Sequence, residues 1–226
     1  MGELIQFKSA SGSESGYLAL PVTGSGPGVV VIQEWWGLVD HIEDVCDRLA
    51  AAGFVALAPD LYRGEKTEEP DEAGKFAMAL KIDEAARQMS GAVDEVATRS
   101  GSDRVGVIGF CMGGGLALVL AALRPDKVKA AAPFYGVIPW ADAVPDYSRI
   151  EAAIQGHYAE HDHSASEETV RLLEATLLSL DKEAEFFIYP GTVHGFFNDT
   201  RPGQYDPSAS AQAWDRVVAF LEENLS

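Results

Sequence analysis

One stretch, VGVIGFCMGGGLAL at residues 105–118, limits what this chain can fold into more than any other. An apolar run runs straight into a glycine cluster, with Cys111 where the two meet. Gly109-Phe110-Cys111-Met112-Gly113 has the form G-x-nucleophile-x-G, which belongs to a sharp turn from a strand into a helix. Such a turn strains its central residue and crowds the neighbouring backbone, so the positions two before and two after must lack bulk. The apex side chain then points away from the sheet. Gly114 and Gly115 carry the same tolerance into the first helical turn, whose unpaired N–H groups favour a thiolate. A packing cysteine has no use for such glycines, whereas Cys46, inside VCDRLAAAG, reads as ordinary filler.

Short apolar runs recur at 28–33, 54–60, 104–110, 129–136, 153–159 and 184–190, the pattern of strands buried on both faces. Helical stretches are expected at 41–52, 71–98, 113–124, 166–180 and 208–224, the last with Ala211, Trp214, Val217, Val218 and Leu221 at helical spacing. This alternation predicts an α/β fold, a mostly parallel sheet with helices on both faces. LIQFKS and GYLALP, joined by the Gly/Ser-rich ASGSESG, read as an antiparallel hairpin at one edge. The charged segment 62–74 reads as a surface loop leading into a helix. With 226 residues and no dividing linker, residues 1–226 are expected to form one domain.

The chain has 35 acidic and 17 basic residues, net −18, which disfavours nucleic acid and anionic lipid as partners. The N-terminal segment has no basic region followed by an apolar one, and no uncharged apolar run reaches spanning length. Two cysteines give poor support for a disulfide framework, so a cytoplasmic location is expected. A monomer is expected, with edge-strand pairing as the alternative.

A cysteine nucleophile needs a base, and the base an orienting acid. His194, in YPGTVHGFF, and Asp162, in GHYAEHDHSAS, each follow a predicted strand, where open parallel sheets carry their sites. The order nucleophile, acid, histidine is that of α/β-hydrolases. Glu160 is an alternative acid. His157, His161 and His163 crowd one segment, but their spacing without cysteine is weak zinc evidence, so neither metal nor cofactor is expected. His41 reads as capping or decorating a helix start.

With these residues in place, the sequence resembles the dienelactone hydrolase family of α/β-hydrolases. The motifs that carry the resemblance run in order along nearly the whole chain: VVIQEWWGL, ALAPDLYRG, VGVIGFCMGG, YGVIP, GHYAEHD, YPGTVHGFFND and QAWDRVVAFLEENL. The resemblance implies an α/β-hydrolase fold, with Cys111 as nucleophile, His194 as base and Asp162 as its acid. It also points to Glu34, in QEWW, which in the family lies beside the cysteine and takes part in forming the thiolate. The backbone N–H groups of Trp35 and Met112 would form the oxyanion hole. The reaction implied is hydrolysis of a small ester or lactone through a thioester on Cys111, with phosphotriesters as a plausible side activity.

The chain departs from the family where a carboxylated dienelactone would be held. The expected serine and arginine after the histidine are Gly195 and Asn198 here. Arg201 and Arg63 are candidate replacements, and Trp36, Tyr62, Phe110 and Phe196 are candidate apolar walls. Neutral aryl or alkyl esters are therefore favoured over carboxylated lactones. Two other readings are a non-catalytic ligand-binding protein on the same fold and a thioesterase or transacylase. The second would want a basic docking surface that the charge balance does not offer.

Overall fold

The computed structural model describes the backbone of residues 1–226 and every side chain except that of residue 141. Two antiparallel strands, β1 (Glu3–Ser9) and β2 (Gly12–Ala19), open the chain. Six more follow: β3 (Gly28–Ile32), β4 (Val55–Pro59), β5 (Val105–Phe110), β6 (Val128–Phe134), β7 (Ala153–His161) and β8 (Ala184–Val193). All join one sheet in the order β1-β2-β4-β3-β5-β6-β7-β8, antiparallel through the β2/β4 pair and parallel from there on.

The helices divide between the two faces as the strand alternation demands. Val30, Ile32 and Val107 point to one face, against α3 (Ile82–Ser100), α4 (Met112–Leu123) and α5 (Glu167–Ser179). Val29, Val31 and Ile108 point to the other, against α1 (Asp40–Ala51) and α6 (Pro207–Leu225). Every residue of α4 from Met112 to Ala122 is buried, so this helix has apolar residues on all sides instead of a stripe. Its N-terminus sits at the centre of the sheet's carboxyl end.

Two expectations need correction. The Gly/Ser-rich segment is mostly strand: Ser9 pairs with Gly12, leaving Ala10 and Ser11 as the turn. Glu14 is buried within it, accepting from Gln88 at 2.8 Å and Ser9 at 2.9 Å, and a Cβ on Gly16 would lie 2.6 Å from the Ala58 carbonyl. The single helix expected over 71–98 is two, α2 (Pro70–Ala79) and α3, separated by extended residues Leu80 and Lys81. Asp83 and Glu84 mark the first turn of the second helix, and Lys81 pairs with Glu84 at 3.1 Å. The break lets α2 lie over Tyr62, whose ring meets Phe76 at 5.4 Å, while α3 follows the sheet.

Candidate active site

Cys111 occupies the turn between β5 and α4 with φ 53° and ψ −118°. An L residue in this region is strained by about 1–3 kcal/mol and must be held there by its surroundings. Its N–H donates to the Phe134 carbonyl at 3.0 Å, and its own carbonyl accepts from Gly114 N–H at 2.9 Å. The glycines have the steric cause expected of them. A Cβ on Gly109 would run into the Gly113 carbonyl, and one on Gly113 would lie 2.5 Å from the carbonyl oxygens of both Ile32 and Gln33. Gly136, which the sequence reading did not single out, faces the Cys111 carbonyl so closely that a Cβ there would collide with it.

His194 follows β8 as Asp162 follows β7, and the register partners His161 and Val193 set the two side by side. Asp162 Oδ2 meets His194 Nδ1 at 2.7 Å, while Oδ1 accepts from the N–H groups of Ser164 at 2.7 Å and Ala165 at 3.0 Å. The Asp162 carboxylate therefore has a fixed orientation. Burial works against its charge, but the hydrogen bond from His194 and the backbone donors prevail and hold its pKa below the usual value. For His194 burial opposes the cation, and hydrogen bonds to Asp162 and then to Cys111 outweigh it, raising the pKa to about 10. Glu160 points elsewhere, accepting from Gly191 N–H at 2.7 Å, with His161 at 3.5 Å.

Glu34 is 3% exposed, just past the end of β3. Tyr135 Oη donates to its Oε1 at 3.2 Å and Asn198 Nδ2 to its Oε2 at 2.7 Å. Both donors are neutral and buried. Tyr135 itself has φ 36°, stands one residue past β6, and turns its ring toward His194 with centroids 5.2 Å apart. Its phenol pKa is pushed up by burial, then by Glu34 and Cys111. Sequence reasoning marked Asn198 only as a missing arginine and gave Tyr135 no specific role. A polar residue one position past a core strand was the available signal for Tyr135.

The backbone N–H groups of Trp35 and Met112 have no protein acceptor among the described residues. Tyr62 Oη donates to Met112 Sδ at 3.4 Å, and the Tyr62 pKa is raised by burial and then by the charge of Cys111. The remaining candidates are less well placed. Phe110, 1% exposed, packs against Phe134, Phe197 and His41, and Phe196, 0% exposed, against Tyr135 and Tyr189. Both are core residues and not pocket walls, because strand alternation sends Phe110 to the face opposite α4. Arg63 is exposed and pairs with Glu84 at 3.1 Å, turned toward α3. Trp36 is buried beneath Arg201, whose guanidinium carbon lies 3.9 Å from the ring centroid.

The histidine-rich segment does not converge. His157 is buried, stacked on Phe134 at 4.4 Å and joined to Tyr189 Oη at 2.9 Å, with its pKa driven to about 3 by burial and then by Arg216. His161 and His163 are exposed. His41 also departs from expectation: instead of decorating a helix it is 1% exposed, because its position in α1 faces Phe110 and Phe197. No helix is long and apolar enough to cross a membrane among the described residues.

The family model described as the dienelactone hydrolase family matches residues 15–225. Among individual relatives, Protein usf of Aquifex pyrophilus is 35% identical, and a protein of Aquifex aeolicus named "Putative carboxymethylenebutenolidase" is 34% identical. In both, the match covers 100% of each chain. A Klebsiella pneumoniae structure described as a "Putative Dienelactone Hydrolase" superposes with a TM-score of 0.88 at 27% identity, covering 99% of this chain and 98% of the other. A dienelactone hydrolase-like promiscuous phosphotriesterase from metagenomic libraries has the same fold, with a TM-score of 0.87 at 22% identity, covering 100% and 99%.

Proposed function

The chain belongs to the dienelactone hydrolase family, and from that premise we propose that it hydrolyses small neutral esters or lactones through a thioester on Cys111. The observation that carries this reading is the Asp162–His194 hydrogen bond at 2.7 Å, with Cys111 on a backbone strained into its apex position.

In this mechanism the Cys111 thiolate attacks the carbonyl carbon while His194 holds the proton. Negative charge develops on the carbonyl oxygen, and the unpaired N–H groups of Trp35 and Met112 are suited to receive it. Collapse breaks the carbon–oxygen bond, His194 protonates the departing alkoxide, and the acyl group remains on sulfur. Water then gives a proton to His194 and attacks the thioester; collapse releases the acid and restores Cys111. Asp162 keeps the imidazole in one tautomer and orientation throughout. Glu34, held by two neutral donors, has the role the family resemblance implies for it, a fixed carboxylate near the thiol that a substrate must displace or adapt to.

The preference for neutral substrates follows from the side chains at the expected anion clamp. Asn198 is engaged with Glu34 and Arg63 with Glu84, so neither is available to a substrate carboxylate. Phosphotriesters are a further substrate class, since a site fitted to a tetrahedral oxyanion also suits an attacked phosphoryl centre. The eight strands in one sheet support a single catalytic domain, and the two free cysteines fit a cytoplasmic protein.

The test is acyl-enzyme trapping. A p-nitrophenyl ester at short reaction times should add one acyl mass to the peptide carrying Cys111, and Cys111→Ala should lose both the adduct and turnover while keeping its fold. Turnover without an adduct, or undiminished in Cys111→Ala, would overturn the reading.

A further inference from the structure

Beside the candidate active site lies a second concavity of about 470 Å³, whose walls include Trp36, His41, Lys66, Asn198, Thr200 and Arg201. Neither Cys111 nor His194 borders it. Asn198 is shared, since it lines this cleft and donates to Glu34.

Two features of the wall point to an anionic occupant. Arg201 lies flat on the Trp36 indole and has no carboxylate within ion-pairing distance among the described residues, in a chain whose net charge is −18. One face of its guanidinium is thereby fixed by the ring, which leaves the N–H edge for a ligand. The N-terminus of α1 also opens here, with Val39 supplying no side-chain cap and the N–H groups of Asp40 and His41 lacking protein acceptors among the described residues. Asp40 and Glu68 border the cleft as well, but both are exposed, and Asp40 already has Lys66 at 3.8 Å.

We propose that this cleft binds a small carboxylate, with Arg201 as its charged partner and the backbone N–H groups of Asp40 and His41 at the α1 N-terminus as further donors. The acid released by ester hydrolysis is such a carboxylate, so the identification of the ligand with the product rests on the hydrolase reading, whereas the binding site itself does not. Through Asn198 an occupant would add negative charge next to Glu34, which makes the cleft a place where accumulated product can slow the enzyme.

Isothermal titration of the full chain with benzoate tests this, using wild type, Arg201→Gln and Cys111→Ala. The expected result is saturable binding in wild type and in Cys111→Ala, with the dissociation constant raised roughly tenfold or more in Arg201→Gln, as loss of a charge-assisted hydrogen bond would give. Benzoate should also inhibit hydrolysis of a neutral ester without competing with it. Absence of binding in wild type, undiminished affinity in Arg201→Gln, or binding lost in Cys111→Ala would each overturn the proposal. Retained ester hydrolysis in Cys111→Ala would instead overturn the mechanism proposed above and leave the titration result standing.

Discussion

Asn198 donates to Glu34 at 2.7 Å across two segments far apart in the chain, tying the loop that begins at His194 to the end of β3. Asn198 Oδ1 is fully used as well, accepting from Thr200 N–H at 3.1 Å and Oγ1 at 2.7 Å. The buried Glu34 carboxylate is thus oriented by amide and phenol, with no cation in direct contact among the described residues.

If that carboxylate governs the thiol, Glu34→Gln should change the rate at which resting Cys111 reacts with iodoacetamide, and ester turnover with it. Asn198→Ala should shift both in the same direction by a smaller factor, because it frees Glu34 without neutralising it. The check is alkylation kinetics by mass spectrometry beside steady-state turnover. Unchanged alkylation in Glu34→Gln would show that the carboxylate has no influence on the thiol.

Substrate charge should matter through the same position. Wild type is expected to hydrolyse a neutral ester with higher kcat/KM than a carboxylated ester of the same leaving group, since the charge-assisted contact worth about 1.5–3 kcal/mol is missing at Asn198. Running the competition at two ionic strengths separates the cases: a preference for the carboxylated ester that weakens with salt would mean that a cation, Arg201 first, serves the reaction site directly.

Asp162→Asn should reduce turnover by orders of magnitude, by analogy with the roughly 10,000-fold loss when a serine protease's triad acid is neutralised. Glu160→Gln should have little effect on turnover, because Glu160 contacts Gly191 and His161 instead of His194. Comparing kcat for the two variants decides between the carboxylates.

The pH dependence of stability should carry the signature of His194. Its pKa rises from 6.5 to about 10 in the fold, so the folded chain keeps a proton there that the unfolded chain gives up. The resulting stabilisation is complete below about pH 6.5 and is lost as pH climbs through about 10. Asp162 has the opposite sign: its lowered pKa stabilises the fold above the ordinary carboxylate range, and the contribution disappears as pH falls through its folded value. Urea midpoints for wild type and His194→Gln should therefore converge between pH 6.5 and 10. A constant gap over that interval would remove His194 as their cause.

How far the sequence exposed this arrangement depended on whether the physics was local. The turn at Cys111 was legible because its glycines answer steric demands from residues within a few positions, Gly109 against Gly113 above all. The choice between Glu160 and Asp162 was not, since they stand two residues apart and a strand's alternation treats them alike. What separates them is the irregular pairing of β7 with β8 after Ala159, where Gly191 claims Glu160 and leaves Asp162 to His194. The roles of Tyr135 and Asn198 depend on Glu34, more than 100 residues away from either. Phe110 and Phe196 were misjudged as pocket walls because aromatic character alone does not reveal which side of the sheet a ring faces. The boundary between α2 and α3 lacks glycine or proline, so only the competing directions of Tyr62 and the sheet establish it.

The complete enclosure of α4 bears on how such a molecule can be re-engineered. A helix packed on every side cannot slide or tilt to make room for a bulkier acyl group on the sulfur at its tip. Accommodation must come from segments with freedom to change, those around Trp35 and Tyr62 and the irregular stretch after Val137. A library aimed at new substrates should therefore diversify those connections and leave residues 109–122 untouched, for tolerance to variation and control over substrate shape reside in the same places.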